Sequence, residues 1–162
     1  MACKYFGDVL KIDFILLIKN HSISDPFLNM NEIDAEWVGE TSWSYRTTFA
    51  SPAKDGSSVY LLFDGLDTFA KVKLNESVIL ESCNMFVSHR VDVTNLLRKD
   101  NTLSIDFDSA LLRGREIKEK MSDHQFVLFN GEAGRLAVRK AQYHWVSLNA
   151  PSLTGNLITN VK

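Results

Sequence analysis

A chain of 162 residues, 45% hydrophobic and 23% charged, has room for one domain with a substantial core and the balance of an ordinary globular protein. Its formal net charge of -2 supplies no electrostatic footprint for nucleic acid or an anionic membrane. Its two cysteines, Cys3 and Cys83, stand far apart, and two free thiols in a reducing compartment is the reading preferred to a disulfide.

Residues 1–24 carry Val9, Ile12, Ile15, Leu16 and Lys19 at roughly helical spacing, which predicts a short buried helix or strand. The most apolar run, Ile12–Ile18, is interrupted by Asp13 and is far shorter than the about 20 residues a spanning helix needs. Lys19-Asn20-His21 follows it in place of small residues suited to cleavage, so no secretory leader is expected and the protein is placed inside the cell, in the cytoplasm. Asp25-Pro26-Phe27 closes the segment, because a residue before proline avoids the helical region. Residues 28–40 are expected to form an ordered loop.

Five runs then alternate apolar and polar residues, the pattern of half-buried strands. They are Trp43–Ala50, Val59–Leu66, Phe69–Leu74, Phe86–Asp92 and Thr102–Asp108. Turn chemistry separates them: Ser51–Ser58, Asp64-Gly65 with Asp67-Thr68, Asn75-Glu76-Ser77 and Lys99-Asp100-Asn101. A single helical turn is expected at Val93–Leu97. Short, evenly spaced strands define an antiparallel sandwich or barrel. Ser109–Lys120 reads as a short surface helix or irregular arm weakened by Gly114. Phe126–Phe129 is expected to be a short strand. Arg135–Trp145 mixes cationic and aromatic residues, and the segment 146–162 lacks recognisable periodicity.

Familiar catalytic patterns are missing. There is no phosphate-binding glycine loop, no Cys/His spacing suited to zinc and no nucleophile elbow. No metal or cofactor is expected. His21, His89, His124 and His144 are scattered, and His89 is expected to be structural. The carboxylates sit mostly at turns or on polar strand faces. Arg135, Arg139 and Lys140 with Tyr143 and Trp145 could stack single-stranded nucleic acid, but the negative net charge argues against it.

Longer stretches carry a family resemblance. NEIDAEWVGETSWSYRTTF (residues 31–49), FDGLDTFAKVKLN (63–75), NMFVSHRVDVTNLL (84–97), FDSALLRGRE (107–116) and RLAVRKAQYHW (135–145) resemble the N-terminal domain of β-mannosidases of glycoside hydrolase family two, fungal intracellular type. FDGLDTFA followed by VRKAQYHW is the most specific of these pairings. The resemblance implies an all-β fold, an antiparallel jelly-roll β-sandwich of the galactose-binding type with short helical segments. It divides the chain into an N-terminal segment, 1–24, a sandwich, 25–145, and a divergent tail, 146–162. In the family this domain precedes immunoglobulin-like domains and a (β/α)8 barrel that removes terminal, non-reducing β-mannose with retention. The barrel carries the acid/base and nucleophile glutamates, which must lie about 5 Å apart across the bond. The resemblance therefore implies a glycosidase whose catalytic residues lie elsewhere, with no catalytic residue in this chain and no activity of its own.

The departures are as informative. The opening residues 1–22 match only loosely. After QYHW the family continues into a Gly-Trp-Asp-Trp-Gly-Pro run whose aspartate reaches the sugar site; here Val146-Ser147-Leu148 follows. Val-Ser is what the common intron start GTAAGT encodes, so 146–162 is expected to be translated intron or an alternative end, with the sandwich short of its closing strands. The competing expectation is a genuine tail packed over the sheet through Leu148, Leu153, Leu157 and Ile158. By resemblance Asn31, Glu32 and Trp145 are the substrate-proximal candidates. The implied partners are the catalytic barrel of the parent enzyme and, through it, a β-mannoside or mannose-containing glycan. The alternative function is an independent lectin-like module with Trp37, Trp43, Tyr143 and Trp145 as its aromatic platform. An independent enzyme ranks third.

Overall fold

The computed structural model describes residues 14–26, 28–52, 56–127, 132–140 and 158–161, the last by backbone alone. Among the described residues seven strands form two antiparallel sheets. The larger has the order β1-β6-β3-β4, with β1 Trp43–Ala50, β3 Ala70–Leu74, β4 Ser77–Ser82 and β6 Asp100–Phe107. The smaller has the order β5-β2-β7, with β2 Tyr60–Leu66, β5 His89–Asp92 and β7 Ile158–Val161. Between the sheets lies a core of Tyr45, Leu61, Phe63, Leu66, Ala70, Val72, Leu74, Val93, Leu103, Ile105 and Phe107. The alternating runs supply it: odd positions of β1 and β6 and even positions of β3 point inward. Tyr45 packs edge-on against Phe107 at 5.5 Å, and burial pushes its phenol pKa up to about 12.

Pairing explains the outer face as well. Lys71 lies opposite Asp106 on β6 and Glu81 on β4. Its ammonium is 3.1 Å from Glu81, while Lys73 Nζ donates to Asp106 at 2.8 Å and the Ser44 hydroxyl donates to the same carboxylate at 2.7 Å. The hydrogen bonds from Lys73 and Ser44 hold Asp106 below its ordinary pKa. On the smaller sheet the Arg90 guanidinium lies 3.8 Å over the Tyr60 ring.

Buried Asn101 closes one end of the sandwich. Its side-chain amide donates to the Arg98 carbonyl at 2.8 Å and to Ser51 Oγ at 3.1 Å. Its side-chain oxygen accepts from the Arg98 N–H at 2.8 Å and from Asn75 Nδ2 at 2.9 Å. Asn75 and Glu76, both at positive φ (50° and 71°), make the two-residue turn between β3 and β4.

Several expectations change. Residues 28–40 are not simply a loop: they contain α2, Asn31–Asp34, and a 3-10 turn, Glu36–Val38. β4 was hidden because it is an edge strand whose register against β3 shifts between Val72 and Lys73, so its sequence does not alternate. The Phe86–Asp92 run yields a strand only from His89, and Phe86 and Val87 are exposed. Residues 126 and 127 are not in a strand, and the rest of that expected strand lies outside the described residues. Residues 14–19 form a short helix, α1, and 94–96 form a turn, as the spacing suggested. His89 is half-buried, its Nε2 3.3 Å from Ser82 Oγ. Cys83 is a free, exposed thiol. Cys3 lies outside the described residues.

Candidate functional site

The 3-10 turn at 36–38, the helix at 110–120 and the segment 132–137 are joined to one another and to the sandwich by polar links. The 3-10 turn at 36–38 is tied to β1 by Trp43, whose indole N–H donates to the Val38 carbonyl at 3.1 Å. The Ser109 hydroxyl donates to the Gly39 carbonyl at 2.6 Å and accepts from the Leu112 N–H at 3.1 Å, capping α3, Ala110–Lys120. One turn into α3, Arg115 Nη1 donates to Glu40 at 2.8 Å and Arg115 Nε donates to Glu132 at 3.0 Å. Those two hydrogen bonds raise the Arg115 pKa. Burial pushes the Glu132 carboxyl up, but the hydrogen bonds from Arg115 and the Gly134 N–H, with the charges of Arg115 and Lys118, outweigh it and hold it below its ordinary value. Burial lowers the Arg135 pKa, against the pull of Glu132.

Gly114 is what lets this cluster close. The 3-10 segment Ala133–Ala137 lies against α3 so tightly that a Cβ on Gly114 would stand 2.4 Å from the Gly134 carbonyl oxygen. A Cβ on Gly134 would stand 2.9 Å from the Arg115 nitrogen. Sequence propensity marks Gly114 as a weakness of the helix; its packing makes it a requirement.

Asn31 and Glu32 open α2 beside this cluster. The Asn31 amide donates to the Asp25 carbonyl at 2.9 Å, so it braces the turn that follows Pro26. Glu32 is half-buried in the first turn of the helix. Trp145 and Tyr143 lie outside the described residues. Trp37 and Trp43 stack at 6.1 Å with a 36° tilt, and Trp37 is 43% exposed.

The buried charge pair went unnoticed in the sequence. Asp67, at the end of β2, accepts from Lys140 Nζ at 2.6 Å, with side chains only 2% and 3% exposed. The Thr68 hydroxyl also donates to Asp67. The neighbouring Arg139 is held through its carbonyl, which accepts from the Met85 N–H at 3.0 Å. Asp67 belongs to FDGLDTFA and Lys140 to VRKAQYHW, so a buried contact joins the two stretches whose pairing was the most specific signal in the sequence. A signal was there to be read: Asp67 and Thr68 interrupt an otherwise apolar stretch between Leu66 and Phe69.

Asp92, held low by the Thr94 hydroxyl and N–H, Asp106 and Glu132 all have lowered pKa values. A glycosidase general acid needs the opposite shift. Among the described residues no group of three or more His, Cys, Asp or Glu could hold a metal ion, and no helix is long and apolar enough to cross a membrane.

The geometry defines an antiparallel β-sandwich domain with a polar-locked helical flank. The chain belongs to the family described as glycosyl hydrolase 2 galactose-binding domain-like, which matches residues 13–148. Beta-mannosidase B of Aspergillus terreus is 58% identical over 132 residues, 80% of this chain and 16% of that protein. Beta-mannosidase B of Emericella nidulans is 57% identical over 129 residues, 78% of this chain and 15% of that protein. The chain thus spans about a sixth of the length of these curated relatives. Among solved structures, the beta-D-mannosidase of Dictyoglomus thermophilum superposes with a TM-score of 0.71 at 32% identity, covering 85% of this chain and 17% of that one. Fold class and family are as the sequence indicated.

Proposed function

We propose that this chain is the non-catalytic N-terminal sandwich domain of a β-mannosidase, serving to pack against and shape a catalytic barrel. The parent enzyme hydrolyses terminal, non-reducing β-D-mannose from mannosides or mannose-containing glycans. One observation carries the reading: 58% identity to a beta-mannosidase runs through 80% of a chain that spans only 16% of that protein. A (β/α)8 barrel alone takes roughly 250 residues, more than the 162 present. Asn31 and Glu32 remain the substrate-proximal candidates, with Trp145, and a cytoplasmic location stays part of this proposal.

The test pairs two assays. The purified chain should leave a chromogenic β-mannoside intact. Added to a relative's β-mannosidase lacking its own first domain, it should restore activity. Hydrolysis by the chain alone, abolished in a carboxylate variant, would overturn the proposal. The lectin-like reading rests on the exposed, stacked Trp37. Titration with mannose, followed by tryptophan fluorescence, decides it: a saturable change at millimolar sugar establishes binding, and none removes it.

A further inference from the structure

The segment 28–38 turns its small residues inward and its large ones outward. It buries only Ala35 and Val38. Leu28, Met30, Ile33 and Trp37 are 58%, 64%, 53% and 43% exposed. α2 itself buries no residue and has no side-chain cap. A helix of four residues draws its stability from packing and not from propensity. Large apolar residues this close together mark an interaction face rather than scattered surface. The face is preformed, because the Asn31 amide holds the Asp25 carbonyl and the Trp43 indole holds the Val38 carbonyl. Its rim is acidic. Residues 20–45 include no lysine or arginine, and Glu32, Asp34 and Glu36 make no salt bridge among the described residues.

We infer that this face docks on the remainder of the parent polypeptide, at an apolar surface ringed by lysine and arginine, an assignment that rests on the chain being the first domain of a β-mannosidase. The chain spans 16% of its Aspergillus terreus relative, so a parent of that length carries ample surface to cover the face within one molecule. A second copy is disfavoured by charge: a two-fold contact through this face would set Glu32, Asp34 and Glu36 against the same carboxylates. Anionic lipid would be repelled in the same way. Asn31 and Glu32 lie within the face, so docking is also what would carry them towards the barrel.

The test reads the Met30 thioether with hydrogen peroxide, which oxidises exposed methionine to the sulfoxide. Met121, 47% exposed at the end of α3, is the internal standard. Two proteins are compared: the full chain, and the Aspergillus terreus beta-mannosidase B with its matching segment replaced by residues 13–148 of this chain. In the chain alone Met30 should oxidise at least as fast as Met121. In the chimera the ratio of Met30 to Met121 oxidation should fall about tenfold. In that chimera Asp34→Lys with Glu36→Lys should raise the ratio again, about threefold, by setting like charges together at the rim. An unchanged ratio in a chimera that hydrolyses a chromogenic β-mannoside would overturn the docking face and leave the parent-enzyme reading standing. A folded chimera without hydrolysis would remove that reading and the docking face with it. Met30 slower than Met121 in the chain alone would mean that a segment of this chain covers the face, or a second copy if the slowing grows with concentration; either overturns the inference. If the chimera does not fold, the chain mixed with the relative's enzyme lacking its first domain gives the same readings.

Discussion

The sandwich and its helical flank are held together by different physics. Between the sheets, side chains such as Phe63, Val72, Ile105 and Phe107 are wholly or almost wholly removed from water, and position along a strand alone decides which face each takes. In the flank α3 buries only Ala110, Leu111 and Gly114, and order comes from Ser109, Arg115, Trp43 and a glycine contact. The first is robust because many small contributions add. The second depends on a few groups, each with a fixed partner. The Asp67–Lys140 pair is the seam between the sandwich and the segment that follows the flank.

The contrast can be broken at either side. Truncating Phe107 to alanine should cost about 3–5 kcal/mol, read as a drop in the urea midpoint. At the seam, Lys140→Met leaves the Asp67 carboxylate buried without its partner, at a cost of about 3–5 kcal/mol. The double variant Asp67→Leu with Lys140→Met should recover most of that loss, since it leaves no lone charge. A loss as large in the double variant would show that the pair matters for shape and not for charge. In the flank, Gly114→Ala should cost about 1–3 kcal/mol through overpacking. Gly39→Ala, where the nearest atom would be at 3.5 Å, should be close to neutral. Arg115→Met should cost about 1 kcal/mol or less, because its ion pairs are partly exposed.

Acid sharpens the same contrast. The folded protein holds Glu132 below its ordinary pKa, so its contribution is complete above the unfolded value of about 4. It is lost as pH falls through the lower folded value. Amide protection, taken relative to the intrinsic exchange rate, should therefore fall in α3 before it does in β2 as the pH drops below about 4. Simultaneous loosening of both would mean that the flank and the sandwich unfold as one unit.

What was legible in the sequence follows this division. β1, β2, β3 and β6 alternate cleanly because one face of each is buried, and their boundaries fall within two residues of expectation. β4 fails the pattern because it is an exposed edge with a bulge. β7 fails because its four residues, Ile158–Val161, lie in a segment whose sequence shows no recognisable periodicity. α2 is only four residues long, below what periodicity can register. In the site, the resemblance singled out Asn31, Glu32 and Trp145, but no local rule could pair Asp67 with Lys140 across 73 positions. That partnership depends on topology, which composition and spacing do not encode.

The contact between Gly114 and Gly134 bears on how this sequence can drift. In an ordinary core, a larger side chain at one position is tolerated when its neighbour shrinks. Here the atoms that would collide with a new Cβ are main-chain ones, the Gly134 carbonyl on one side and the Arg115 nitrogen on the other. No compensating replacement can make a peptide group smaller. The two positions are therefore locked independently of each other, and a library that randomises both should return glycine at both. A second-site suppressor of either change would have to move the whole 133–137 segment away from α3, and with it the Glu132 half of the Arg115 bridge.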